Sequence, residues 1–322
     1  IAAFAAGMND WAAENPSAVN DDMKVVLPLS PQDILRQMQY SIHVTFVAGG
    51  AQQIALGWQS APAEEKKVAE NPVDEKPGSN AWAIAPSRSE SGNAMLLMNP
   101  HLRWSDQFLF FEAHISTPDY DAYGVSLIGM PNLVIAFNKD IGWTHTVNTY
   151  DGADIYELTV DEDGYLLDGN IVPFEESTIS LKVKTADGSM TERSIPHRRS
   201  VHGPVVSEKD GKALALHIAG LEEPSHNRMF EQYWKLGSAK NVDEFEAALA
   251  MHQVPMFNAV YADRHGDIFY AFNALQPVRK TGDVAFWSGI IDGTNSELLW
   301  DSYRAYDELP RYRNPPSGFV QN

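Results

Sequence analysis

A chain of 322 residues that is 44% hydrophobic is long enough to bury a sizeable core and is not disordered in composition. Its net charge of -19 would repel phosphates, which argues against nucleic acid or an anionic membrane surface as a partner. With no cysteine it has no disulfide, no CxxC redox motif and no thiolate metal site, and no apolar run reaches the roughly 18 residues of a helical membrane span.

In chain order, Ile1, Phe4, Ala5, Met8 and Trp11 recur at helical spacing ahead of Asn15-Pro16, which predicts a core-facing helix over 1–14. Ser30 followed by Pro31 and Asp33 predicts a capped helix that runs to about Leu56. Its apolar face is Ile34, Leu35, Met38, Ile42 and Phe46, and Tyr40 and Val44 on the other side suggest burial nearly all round. Residues 62–78 have the Ala, Glu, Lys and Pro composition of a linker, without an apolar period.

Strands dominate from there on. Trp82 to Ala85 and Met95 to Met98 read as two buried strands joined by a polar loop. Gln107 to Ser116 alternates in a way that suits a strand between core and cavity, and Val134 to Phe137 and Trp143 to Val147 read as further strands. From Ala153 to Leu216, acidic Gly-containing turns at Asp161–Gly164, Asp168–Asn170, Asp187-Gly188 and Lys209–Gly211 have the spacing of a β meander. None of these turns has the full spacing of an EF-hand calcium loop. Helical pattern returns over Asn227 to Met251 with a break at Ser238–Asn241, and then strands at Val254–Asn258, Tyr261–Asp263 and Ile268–Phe272. Runs of strands with helical blocks near the start and late in the chain predict an α+β fold, two antiparallel sheets packed face to face and covered by helices.

The stretch with chemical content is Gly78-Ser79-Asn80-Ala81-Trp82, where a spacer becomes a core strand. A serine hydroxyl is a weak nucleophile until a base takes its proton. If the chain is cut between Gly78 and Ser79, the serine gains its own α-amine, which titrates near 8. A Gly-Ser at a loop-strand junction is by itself ordinary turn chemistry.

Gly78–Trp82, Gly92-Asn93-Ala94, Asn99-Pro100-His101-Leu102, Ser126–Pro131, Ala136–Asn138, Thr144–Asn148, Val201–Pro204, Tyr261–Asp263 and Asn314–Asn322 together resemble the start of the β chain in the penicillin acylase family of N-terminal nucleophile hydrolases. Among its branches the cephalosporin acylases are most similar, with the acyl-homoserine lactone acylases near neighbours. The resemblance implies an αββα sandwich and three segments: 1–61 from the α chain, a spacer at 62–78, and 79–322 from the β chain. It implies autocatalytic cleavage before Ser79, an α/β heterodimer, and an acyl-enzyme on Ser79 during hydrolysis of a small-molecule amide. It also implies a periplasmic location, and a third oxyanion donor and a carboxylate partner for the histidine that lie beyond Asn322.

Carried over residue by residue, the resemblance makes the Val147 backbone N–H an oxyanion donor and His101 the residue that orients Ser79, its own N–H a second donor. It makes Phe46, Trp82, Leu102, Phe110, Leu127, Val134 and Phe257 substrate-binding. Asn258 takes a structural role beside Phe257. Where glutaryl-accepting relatives bind the acyl carboxylate with arginine, tyrosine and glutamine, this chain has Val134, Phe110 and Leu127. Burying an unpaired carboxylate there would cost several kcal/mol, so a neutral, apolar acyl group is expected. Catalysis needs no cofactor in this family, but a structural calcium is implied at Asp151, the Ala153 carbonyl and Asp154, with Gln52 or Gln53 where a glutamate would complete the cage. The alternatives are a glutaryl-cephalosporin acylase that draws its carboxylate anchor from elsewhere, and an uncleaved ligand-binding homologue.

Overall fold

A computed structural model of the chain describes residues 1–60, 78–162, 164–222 and 227–322. The spacer at 62–78 lies outside the described residues except for Gly78, and so does Asp163 of one acidic turn.

Helix α1 (Ala2–Glu14) forms where its period places it, but only Ala5 is buried; Met8 and Trp11 are exposed, so it is not a core helix. After α2 (Asp21–Lys24), the Ser30 signal holds: the Ser30 hydroxyl accepts from Asp33 N–H, the Asp33 carboxylate accepts from Ser30 N–H, and Pro31 opens α3 (Pro31–Gln39). The expected single helix does not run on to Leu56. Tyr40–Val47 is π-helical, closed by an Ala48 N–H bond to the His43 carbonyl, and α4 (Gly49–Ser60) starts afresh at the Gly49-Gly50 pair. Nor is the helix buried all round, because Leu35 and Tyr40 face solvent.

The strands follow as β1 (Gly78–Ile84), β2 (Met95–His101), β3 (Phe110–Ser116), β4 (Asp121–Leu127), β5 (Ile135–Phe137), β6 (Ile141–Thr146), β7 (Ala153–Asp161), β8 (Gly164–Leu167), β9 (Asn170–Val172), β10 (Glu175–Lys184), β11 (Met190–Ser200), β12 (Gly203–Lys209) and β13 (Lys212–Ile218). Helices α5 (Met229–Ser238) and α6 (Val242–Leu249) come next, broken where the sequence suggests. Then come β14 (Asn258–Asp263), β15 (Ile268–Phe272), α7 (Val284–Trp287), β16 (Ile290–Asp292), β17 (Arg311–Arg313) and β18 (Phe319–Gln321). Residues 254–257 are not strand, and Phe257 has φ of 88°, a left-handed conformation that a ladder does not accommodate.

Two of the sheets stack. A three-stranded sheet in the order β18-β1-β2 lies against a seven-stranded one in the order β17-β15-β14-β6-β5-β4-β3. The contact surface is built of small side chains: Ala81 and Ala83 of β1 meet Val260 and Ala262 of β14. Gly142 of β6 belongs to the same close approach, since a Cβ there would stand 3.2 Å from the Leu96 side chain. On the far face of the larger sheet, Tyr233, Leu236 and Phe245 of α5 and α6 pack on Trp143 and Tyr261. The described residues thus form helices, sheet and sheet in order, and the outer face of the three-stranded sheet, with Trp82, Met95 and Leu97, is exposed.

The β meander becomes a separate sheet in the order β10-β11-β12-β13-β7-β8-β9, with β16 added in parallel beside β7 and α4 packed on β7 and β12. Its turns behave as their sequence indicates: Asp168-Gly169 and Asp210-Gly211 adopt positive φ and close two-residue hairpins.

The expected calcium cage is corrected here. Arg279 fills its centre. Its guanidinium donates to both oxygens of Asp154 at 3.0 Å, pairs with Asp151 Oδ2 at 3.0 Å, and donates to the Asp151 carbonyl at 3.2 Å. The Trp300 indole N–H adds a bond to Asp154 at 2.5 Å, and the Trp287 ring lies under the guanidinium at 4.9 Å. Gln52 donates to the Val44 carbonyl instead, and no group of three metal-binding side chains occurs among the described residues. Burial pushes both carboxyls above their usual range and Arg279 opposes it. A bidentate cation of fixed shape does for these carboxylates what a divalent ion would do, and ties the 148–152 segment to the chain near β16. Removing one partner of a buried pair costs about 3–5 kcal/mol. Arg279→Gln is therefore expected to lower the Tm by several degrees, while EDTA leaves the wild-type Tm unmoved; calorimetry on the full-length gene product with and without chelator checks both, and a Tm that falls in EDTA would restore the calcium reading.

Candidate active site

Strand β1 is buried on one face only, and that decides where its serine goes. Along Gly78–Ile84, Ala81 and Ala83 are fully buried whereas Asn80 and Trp82 are exposed, so Ser79 shares the inner face with the two alanines. Ser79 stands opposite Pro100 of β2, and both line a cavity with about 430 Å³ of empty space, its open mouth included. Gly78 and Ser79 are joined within one strand, and the Ser79 hydroxyl donates to the Gly78 carbonyl, the carbonyl of the very bond that cleavage would break.

The cavity gathers most of the residues singled out from sequence. Phe46, Leu102, Phe110, Leu127, Val134, Val147 and Phe257 all line it with Ser79. Phe110 and Leu127 are cross-strand partners on β3 and β4, and Val134 follows through its N–H bond to the Val125 carbonyl. Phe46 sits edge-on to Phe257 at 5.1 Å, so the π-helical stretch forms one wall. None of the lining residues carries a formal charge, so the wall where a glutaryl-binding site would have its arginine is apolar.

Val147 is held at the edge of this cavity by its neighbours. The β6 ladder closes at the pair Thr146 and Asn258, so the next N–H lies outside the sheet pairing. Asn258 locks that end: its amide donates to the Thr146 hydroxyl at 2.9 Å and its carbonyl oxygen Oδ1 accepts from the Tyr270 hydroxyl at 2.8 Å. With both ends of its side chain engaged, Asn258 has the structural role expected of it. Phe257, one residue earlier, carries the strained φ of 88° at the cavity wall.

Two expected site residues lie elsewhere. His101 pairs in register with Gly78, so its side chain projects from the outer face of β2, and its Nε2 approaches the Asn80 amide at 3.4 Å rather than Ser79. Trp82 projects from the same outer face, in a separate surface depression with Ile84, Arg88, Phe319 and Gln321. The two-residue alternation of a strand is the reason in both cases: each lies an odd number of positions from a cavity-facing residue.

The cavity also includes Ile42, Pro100, Ile135, His145, Thr146 and Tyr233, which the sequence reading missed. Ile42 lies one helical turn before Phe46, and Pro100 stands within the Asn-Pro-His motif, so local spacing could have found them. His145 lies two residues before Val147 on the same strand face. Tyr233 arrives on α5 from a distant part of the chain and has no local signal. His145 is buried, its Nδ1 stands 3.1 Å from the Asn258 carbonyl, and burial lowers its pKa to about 4. Burial likewise raises the Tyr233 hydroxyl out of the physiological range. Both side chains are neutral near pH 7.

Comparison with known proteins agrees with this geometry. The family model described as penicillin amidase matches residues 1–322. The chain is 29% identical over 314 residues to the acyl-homoserine lactone acylase PvdQ of Pseudomonas fluorescens strain Pf-5, covering 91% of this chain and 39% of that protein. It is 31% identical over 244 residues to the protein of the same name from strain Pf0-1, covering 70% of this chain and 31% of that one. The aculeacin-A acylase of Actinoplanes utahensis is 29% identical over 213 residues, covering 65% of this chain and 27% of that protein. The chain thus spans about two-fifths or less of the length of these relatives. In fold it is similar to the solved thermostable penicillin G acylase from Alcaligenes faecalis, with a TM-score of 0.66 over 76% of this chain and 43% of that one at 24% identity. The match over every residue, together with a serine on the inner face of a two-sheet sandwich, establishes that this chain belongs to the penicillin amidase family, with the fold of the N-terminal nucleophile hydrolases.

Proposed function

We propose that this chain carries the nucleophile and the acyl pocket of an amidohydrolase that removes a neutral, apolar acyl group from a small N-acyl amide. The observation that carries the reading is Ser79 in the wall of a mostly apolar cavity without a charged group, with Val147 in the same lining. The likeness to an acyl-homoserine lactone acylase and to the aculeacin-A acylase supports acyl transfer to water as the reaction class.

In this reading Ser79 works twice. During maturation its Oγ, which donates a hydrogen bond to the Gly78 carbonyl oxygen, attacks the carbon of that carbonyl, the C–N bond gives way to an ester, the nitrogen gains a proton, and water hydrolyses the ester. The products are the Gly78 carboxylate and the free Ser79 α-amine, so the α and β segments part as a heterodimer. In turnover, Oγ attacks the substrate carbonyl and passes its proton to that amine, through a water. The Val147 N–H faces the developing oxyanion, a donor worth roughly 3 kcal/mol of barrier. The amine product leaves, and water cleaves the acyl-enzyme. The His101 ring faces away from Ser79 and is assigned no step in this scheme. A periplasmic location belongs to the same proposal.

Three outcomes test it. The full-length gene product is expected to show a new N-terminus beginning Ser-Asn-Ala-Trp by intact mass and terminal sequencing, and Ser79→Ala is expected to remain one chain and to lose amide hydrolysis. An uncut wild type that turns over no amide would favour the ligand-binding homologue. Among substrates, kcat/KM for an octanoyl amide is expected to exceed that for a glutaryl amide, because the glutaryl carboxylate would be buried without a partner beside Val134. The reverse order would favour the glutaryl-cephalosporin acylase.

A further inference from the structure

Val147 has a firm neighbour on one side and an unladdered segment on the other. Before it, Thr146, Asn258 and Tyr270 close the end of β6; after it, residues 148–152 run without strand or helix until β7 opens at Ala153. A backbone N–H between the two is held no better than the looser side allows. What grips 148–152 therefore decides how well it is aimed.

Neutral contacts hold part of the segment. The Asn148 amide donates to the Asn273 carbonyl at 2.9 Å, the Gly152 carbonyl accepts from the Ala219 N–H at 2.8 Å, and the Tyr150 ring packs against two clusters of buried side chains. Tyr150 adds only packing, since its hydroxyl is buried without a hydrogen-bond partner among the described residues. The remaining tie carries charge. Arg279 pairs with the Asp151 carboxylate at 3.0 Å, donates to the Asp151 carbonyl at 3.2 Å, and forks onto both oxygens of Asp154.

Both ends of this fork are fixed. Val278 N–H donates to the Ser302 carbonyl and Arg304 N–H to the Gln276 carbonyl, each at 2.9 Å, which pins the backbone that carries Arg279. Asp154 is a fully buried side chain of β7, in register with His217 of β13, and Trp300 holds the same carboxylate. Without the guanidinium the Asp154 charge would have to be hydrated, and the neighbouring backbone that lacks ladder bonds, residues 148–152, is what can open to admit water. Opening there displaces the residue next to it, Val147.

Resting on the acyl-enzyme reading, we propose that Arg279 is a positioning residue for turnover: by holding Asp151 it keeps the Val147 N–H aimed at the oxyanion, and so sets kcat from outside the cavity. Residues 148–154 take no part in the cavity lining, so acyl binding does not depend on the fork. An oxyanion is sensitive to where its donors stand, and a misplacement of about 1 Å costs on the order of 100-fold in rate.

The test compares Arg279→Gln, Asp151→Asn and Tyr156→Phe with wild type, as self-cleaved full-length proteins hydrolysing an octanoyl amide. Tyr156→Phe removes the bond from that hydroxyl to the Leu298 carbonyl at 3.0 Å, also on β7, and controls for lost stability alone. Affinity for octylboronic acid, whose adduct with the serine hydroxyl is tetrahedral and anionic, reads the oxyanion donors apart from the acyl pocket. Arg279→Gln is expected to lower kcat about 10- to 100-fold, and boronate affinity by a similar factor, with KM within about twofold of wild type. Asp151→Asn is expected to show the same pattern at smaller size, and Tyr156→Phe none of it. Unchanged kcat and boronate affinity in Arg279→Gln, or a KM that rises as far as kcat falls, overturns the assignment while the acylase reading stands. Should Arg279→Gln fail to self-cleave, Asp151→Asn decides, and an unchanged kcat in it overturns the assignment equally. If the cleaved wild type hydrolyses no octanoyl amide, the acylase reading fails first and takes the assignment with it.

Discussion

Everything at this site depends on which face of β1 is buried. The strand lies between β2 and β18 and presses Ala81 and Ala83 onto β14, and a residue two positions before Ala81 must face the same way. That residue is Ser79. A slip of one position would bring Gly78 and Asn80 inward and turn the serine to solvent, so the packing of two alanines against a sheet is what aims the hydroxyl. Small side chains at the sheet interface matter for the same reason, because Gly142 and the alanines let the two sheets approach closely enough for β1 to deliver Ser79 to the cavity that Val147 also lines.

The second constraint is the end of β6. Thr146, Asn258 and Tyr270 form a chain of hydrogen bonds that closes the ladder at a defined residue, so that the next N–H borders the cavity. The left-handed backbone at Phe257 is adjacent to this clamp and is held by burial. Strain of this kind persists only where the surroundings over-determine it, and here it serves to turn an aromatic ring onto the cavity wall against Phe46. His145 belongs to the same unit, since the carbonyl that its Nδ1 meets is that of Asn258.

Away from the cavity, Arg279 joins two carboxylates through one guanidinium. Two carboxylates, Asp151 just before β7 and Asp154 within it, need a counter-charge, and a guanidinium with five donors meets that need with fixed geometry. Trp300 and Trp287 complete the enclosure, one by a hydrogen bond and one by its ring face.

Much of this was legible in the sequence. The capping box at Ser30, the Asp-Gly hairpins, the break between α5 and α6 and the presence of β1 and β2 are local signals, written in residues a few positions apart, although the two apolar runs expected to be buried strands each expose one face. Ser79 and the residues that the resemblance implied at Phe46, Leu102, Phe110, Leu127, Val134, Val147 and Phe257 line one cavity. The failures have particular physical causes. Met8 and Trp11 have helical spacing without a partner surface, and periodicity reports a face but not what covers it. The helix expected to reach Leu56 yields to π-helical bonding and a restart at Gly49-Gly50, where the poor helix propensity of glycine permits a break. His101 and Trp82 belong to the right motif but the wrong strand face, and Arg279 lies 125 positions from the Asp154 it neutralises. Local order and turn chemistry were thus determined by the sequence alone, since they depend on neighbours along the chain. Only the tertiary structure decided which side chains share a cavity and which charge meets which, because those depend on strand parity and on contacts between segments that no local pattern connects.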